Sequence, residues 1–178
     1  GATGTTTFAE NATLSGTANN FGTVTAGTIG AGVTFPDNHV IYHEIVKYGP
    51  AADVNGTSTT FSEINSALRI THTGASTDNI FIFEYACGAM SVSASQMFIN
   101  VAKTTDVTTG IILADNNSVT NIGDISVTLK SPGLVRGYYA AVTSAFTYTP
   151  IFRMGGSGTG YPIGGLGNAT FSLLELKK

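Results

Sequence analysis

Histidine, the commonest side-chain ligand for metals, occurs three times in the 178 residues, at positions 39, 43 and 72. His39 and His43 alternate with Ile41 and Ile45, a pattern that places all four on one face of a strand. Extended chain sets the two histidines ~13 Å apart at ~3.3 Å per residue, too far to hold one ion together. Three copies of either histidine around a threefold axis would be the one route to a metal site; ordinary surface or interface histidines are the simpler reading. His72 has no carboxylate near it in sequence.

Glu44, Glu63, Glu84 and Glu175 in principle offer a carboxylate pair for glycoside hydrolysis. No spacing singles out two of them. Glu84, set in Ile80-Phe81-Ile82-Phe83-Glu84-Tyr85, is expected to pair with an arginine from another strand or subunit. The run Gly155-Gly156-Ser157-Gly158 lacks the strand-to-helix setting of a nucleophile elbow. Cys87 has small neighbours and no basic one, so it reads as a buried, inert thiol. A lone cysteine forms no internal disulfide. Asn11, Asn55, Asn116 and Asn168 each open an Asn-x-Ser/Thr triplet, as chance supplies in a chain rich in Asn and Thr. The expectation is a protein with no catalytic residues, no metal ligands and no cofactor, and therefore not an enzyme.

The richest candidate for recognition is the segment 155–168, Gly-Gly-Ser-Gly-Thr-Gly-Tyr-Pro-Ile-Gly-Gly-Leu-Gly-Asn, half of it glycine. A loop of this length in a compact domain is usually functional or mobile. Gly160, Tyr161 and Pro162 are its expected binding residues: glycine bares backbone donors and acceptors, and the ring pair offers a flat face to a sugar or another surface. The alternative is a connection that packs between subunits. A second, less defined surface is Gly137-Tyr138-Tyr139 with Arg136 beside it.

These residues must be positioned by strands. Gly (22), Thr (27), Ser (14) and Asn (12) make up 75 of the 178 residues, and Thr and Gly are poor helix formers. Hydrophobic residues form 42% of the chain and the net charge is only -3, which argues against disorder. Eight scattered basic residues give no stripe for phosphates, so nucleic acid is not an expected partner. No run of 18 apolar residues predicts membrane insertion. The chain opens on Gly1 rather than Met, which reads as a processed or trimmed product.

Residues 1–36 hold one charge, Glu10, and a loose five-residue repeat with glycines at 22, 27 and 32. They cannot bury a core of their own. Two readings stand: a flexible linker, or an extended stalk ordered by winding with copies of itself. From residue 37 to 178 the pattern is that of a single knob domain. Alternating β-branched and aromatic runs predict strands near 39–47, 67–72, 80–86, 96–103, 110–114, 125–130, 135–143, 147–154 and 170–176. Turn residues separate them, and short strands without a convincing helix predict a two-sheet sandwich. Two strands are apolar on both faces: Ile80 and Ile82 back Phe81, Phe83 and Tyr85, and Leu174 and Leu176 back Phe171 and Leu173. A monomeric sandwich wets one face of each strand. A second buried face implies a subunit interface or a covering loop.

The order of these pieces resembles the C-terminal domains of marine-phage tail-fibre and virion structural proteins. The junction Gly32-Val33-Thr34-Phe35-Pro36 leads into His39-Val40, the late strand is Thr147-Tyr148-Thr149-Pro150-Ile151-Phe152-Arg153, and the close is Ala169-Thr170-Phe171-Ser172-Leu173-Leu174-Glu175-Leu176-Lys177. The resemblance runs from about Ser15 to the end of the chain. It implies an all-β, jelly-roll-type β-sandwich with an extended N-terminal stalk, similar to the trimeric knobs of tumour-necrosis-factor-like proteins. It further implies a homotrimeric fibre or knob of a tailed phage, assembled in the host cytoplasm and carried on the virion. Other virion proteins would be held through residues 1–36, and a host-surface glycan or protein would be the target. The alternatives are a capsid-decoration or head-fibre protein with a purely structural role, and a secreted bacterial adhesin or lectin module.

Overall fold

A computed structural model describes residues 36–93, 96–108, 131–164 and 167–178. Apart from Pro36, the stalk expected over residues 1–36 lies outside them, as do the strands expected at 110–114 and 125–130. The described chain is almost wholly β: β1 (Val40–Tyr48), β2 (Val54–Gly56), β3 (Ser62–Glu63), β4 (Ile70–His72), β5 (Ile80–Ser93), β6 (Met97–Lys103), β7 (Ser131–Ala140), β8 (Phe146–Met154), β9 (Thr159–Ile163) and β10 (Ala169–Leu176).

Two antiparallel sheets pack as a β-sandwich. In the first, β10 lies between β1 and β5, and β7 flanks β5 on its other side. The far end of β5 pairs with β9, which pairs with β2. In the second, β8 is central, with β6 along one side and β3 and β4 in succession along the other. From β4 to β9 successive described strands alternate between the two sheets.

Alternation explains which residues meet between the sheets. Phe81, Phe83, Tyr85, Phe171 and Leu173 enter from the first sheet and face Tyr148, Phe152, Met154, Met97, Ile99 and Val101 from the second. The rings of Phe83 and Phe171 stack at 6.0 Å, and Phe83 meets Tyr148 at 5.0 Å. A smaller cluster of Phe61, Ala102 and Ile151, with Phe98 and Val107, covers the back of the second sheet.

Three strands lie where the sequence predicts none: β2, β3 and β9. The first two are short, and the third sits inside the glycine-rich segment. The strand expected at 67–72 begins only at Ile70, because the Asn65 side chain accepts the Ala67 N–H at 2.9 Å and closes a 3-10 turn over Ser66–Leu68. β5 runs 14 residues, past its expected end. The register against β7 shifts between Cys87 and Met90, so Met90 and Val92 reach the core although the inward residues before them are odd-numbered.

Candidate functional site

The segment 155–168 is not the open loop that its composition suggests. Gly155 donates its N–H to the Gln96 carbonyl at 2.8 Å, and Gly158 turns the chain at φ 136°. Thr159–Ile163 then forms β9, paired on both edges. Glycine at 160 is required by crowding: a Cβ there would lie 2.6 Å from Met154 Sδ and 2.9 Å from Met97 Sδ. Pro162 is buried too, and its carbonyl accepts the Tyr85 hydroxyl at 2.8 Å. Of the three expected binding residues, Gly160 and Pro162 therefore serve packing, and only Tyr161 keeps a half-exposed side chain. The misreading has a physical cause. Methionine-rich packing needs a residue without a side chain, and glycine chosen for space looks in sequence like glycine chosen for flexibility.

The four glutamates among the described residues fall into separate settings. Glu44 takes the hydroxyl of Tyr42, and burial together with that carboxylate pushes the phenol up to about 12. Glu63 receives two hydrogen bonds from Arg69, at 2.7 and 2.6 Å, and one from Thr149 at 2.7 Å. Glu84 stands opposite Arg136 of β7 in register, as the sequence expected of an arginine on another strand, yet the two close no ion pair within the chain. Glu175 is 1% exposed and fully engaged. Its Oε1 accepts the Asn79 side-chain amide at 2.8 Å and the Ala75 N–H at 2.9 Å, and its Oε2 meets His72 Nε2 at 2.8 Å. Tyr42 stacks on that imidazole at 3.7 Å. Among the described residues, no group of three or more His, Cys, Asp or Glu side chains is placed to hold a metal ion. Cys87 is buried and donates to the Ala89 carbonyl at 3.0 Å, and burial pushes its thiol up.

Two surfaces of the first sheet have side chains to offer. One is the outward face of the first sheet. The large apolar side chains left exposed among the described residues are Val40 (46%), Ile45 (50%), Leu134 (58%) and Tyr138 (66%). Register places all four on this face. Val40 lies opposite Leu176, Ile45 opposite Ser172, Leu134 opposite Ala86, and Tyr138 opposite Ile82. Leu174 joins them in a row that runs His43, Leu174, Ile82, Tyr138 across four strands. Glu84 and Arg136 sit in the adjoining row with Ile45.

The other surface is a cleft of about 330 Å³ at the end of the sandwich where β5 begins and β7 ends. Residues 77–80, Tyr138, Tyr139, Ala140 and Lys178 line it. The turn that forms one wall is held from below by Glu175, through Ala75 and Asn79. Tyr138, named in sequence only as a vague second surface, lines this cleft together with Tyr139. No sequence signal joined it to Asp78, because the two meet only through the pairing of β5 with β7.

No protein-family profile matches the chain, and no curated protein matches it. Among the described residues, no helix is long and apolar enough to cross a membrane.

Proposed function

We propose that this chain is a virion structural protein of a tailed phage, a homotrimeric jelly-roll knob that attaches the particle to a host surface. The observation that carries the reading is the outward face of the first sheet. It gathers Val40, Ile45, Leu134 and Tyr138 on one side of a sandwich whose core is already complete behind it. Large apolar side chains exposed on one sheet face, interleaved with polar ones, suit an interface between subunits, and further copies of the chain are the proposed partners. Glu84 and Arg136, opposite each other in register, give this face an acid and a base that a neighbouring copy would pair in the proposed contact. The connections that change sheet from β4 to β9 support the jelly-roll reading.

Sedimentation equilibrium of the purified chain at micromolar concentration tests the assembly. A trimer is expected, and a monomer would remove the basis of the reading. Electron microscopy of the particle with this subunit labelled tests its place. A label at a fibre tip supports attachment; a label spread over the head replaces it with a decoration role.

A further inference from the structure

We propose that Arg153, held against Phe61 and Phe98 on the outward face of the second sheet, binds the carboxylate of an acidic peptide whose aspartate or glutamate is flanked by apolar residues. The site is a row across three strands. Phe98 of β6 stands opposite Arg153 of β8 in register. Phe61, one residue ahead of β3, comes beside Arg153 from the other side, since Ser62 pairs with Phe152. The guanidinium carbon lies 4.4 Å from the centre of the Phe98 ring and 5.2 Å from that of Phe61. Both rings are fixed in place. Gly155 packs bare backbone beside Phe98, where a Cβ would lie 2.8 Å from Cε2. The loop ahead of Phe61 is tied to β8 by the Met154 N–H, which donates to the Ser58 carbonyl at 2.7 Å. Within that loop the Thr60 N–H donates to the Ser58 hydroxyl at 3.0 Å. The arginine is thus positioned before any ligand arrives, which lowers the ordering cost of binding.

Among the described residues, no carboxylate pairs with Arg153. The adjoining row holds Glu63, opposite Ile151, but Arg69 and Thr149 already occupy that carboxylate. Aromatic rings attract a guanidinium without using its N–H donors as a carboxylate does. Arg153 is half-buried, so part of its hydration is already lost. A carboxylate is the complement: it is planar and takes two parallel N–H donors. Its single charge matches one arginine. A phosphate group brings about two negative charges, for which the row has one cation, with Glu63 in the next row to repel the excess. The rings select what surrounds the acid. Phe98 is half-buried, so apolar side chains beside the acid gain contact with it. A row on a sheet face is flat, which suits a peptide laid across strands rather than a small acid that needs a pocket around it. The proposed contact between subunits uses the first sheet, so this inference stands apart from that reading.

The test titrates the full chain by NMR with a capped tripeptide, leucine-glutamate-phenylalanine, and reads the Arg153 Nε–H and the Phe98 ring signals. Both should shift on binding. The glutamine counterpart should bind about tenfold or more weakly through loss of charge-assisted hydrogen bonds. The phosphoserine counterpart and benzoate should also bind more weakly than the glutamate peptide. Arg153→Lys keeps the charge without the planar fork and should weaken binding severalfold, and Arg153→Gln should abolish it. Sedimentation of Arg153→Gln should match that of the wild type. Equal binding of the glutamate and glutamine peptides, shifts that leave Arg153 and Phe98 unmoved, or binding that survives Arg153→Gln overturns the proposal. Should Arg153→Gln not fold, wild-type affinity in Arg153→Lys overturns it instead. Tighter binding of the phosphoserine peptide overturns the carboxylate, and benzoate binding as tightly as the peptide overturns the peptide. Altered sedimentation of Arg153→Gln assigns the row to the subunit contact and overturns the proposal as well.

Discussion

His72 Nε2 and Glu175 Oε2 lie 2.8 Å apart although 103 residues separate them in the chain. The contact ties the end of β4 to the end of β10, across the two sheets, and Glu175 also holds the turn after β4 through Ala75 and Asn79. Replacing Glu175 with Ala leaves three donors, those of His72, Ala75 and the buried Asn79, without their acceptor. The expected cost is about 3–5 kcal/mol, read as a lower urea midpoint. Glu175→Gln keeps an acceptor oxygen and should cost less, roughly 1–3 kcal/mol.

Adjacent leucines on β10 should fail in different ways. Leu173 is fully buried in the core, whereas Leu174 faces outward opposite Ile82. Leu173→Asp buries an unpaired carboxylate and should abolish folding, seen as loss of the near-ultraviolet circular dichroism signal. Leu174→Asp should give a folded chain that sediments as a monomer. A folded trimer from Leu174→Asp would exclude the outward face as the interface.

The sandwich itself was legible because period-two alternation is a local signal, and β1, β6, β8 and β10 fall within a residue or so of their expected bounds. The double-faced character of β5 and β10 was legible for the same reason. Contacts made by pairing were not. His72 has no carboxylate near it in sequence, yet the fold delivers Glu175 to it. Gly160 could be read for backbone freedom but not for the two methionine sulfurs that exclude a side chain. The cleft was invisible because its wall and its two tyrosines lie roughly 60 residues apart in the chain and meet only through register.

Two glycines offer a test of close packing. A Cβ at Gly74 would lie 2.7 Å from the Val142 carbonyl oxygen and 2.9 Å from Phe81 Cζ, so backbone has to move. Gly74→Ala should destabilise by roughly 1–3 kcal/mol. At Gly88 the nearest atom is 3.9 Å away. Gly88→Ala should leave the melting temperature nearly unchanged.

The Arg69–Glu63 pair predicts a pH effect of known sign. Hydrogen bonds from Arg69 hold the Glu63 carboxyl below its ordinary value of 4.5, with Thr149 assisting and burial opposing. A carboxyl lowered by folding contributes stability in full above that ordinary value and loses it as pH falls through the lower folded one. The melting temperature of Glu63→Gln should therefore lie below that of the wild type at neutral pH and converge with it in acid. Because Arg69 is exposed, the difference should be small and shrink in salt.

The position of β10 between β1 and β5 has a consequence for synthesis. The last of the described strands joins two strands made long before it, and loop closure over such distances is slow. Until residue 176 has left the ribosome, β1 has no edge to pair with and one side of β5 stays bare. A nascent chain arrested ahead of β10 should be open to protease, while a chain that includes β10 should resist it. The cell thus handles an unfinished, aggregation-prone polypeptide for most of translation, and any premature stop before the final strand should yield no folded product at all.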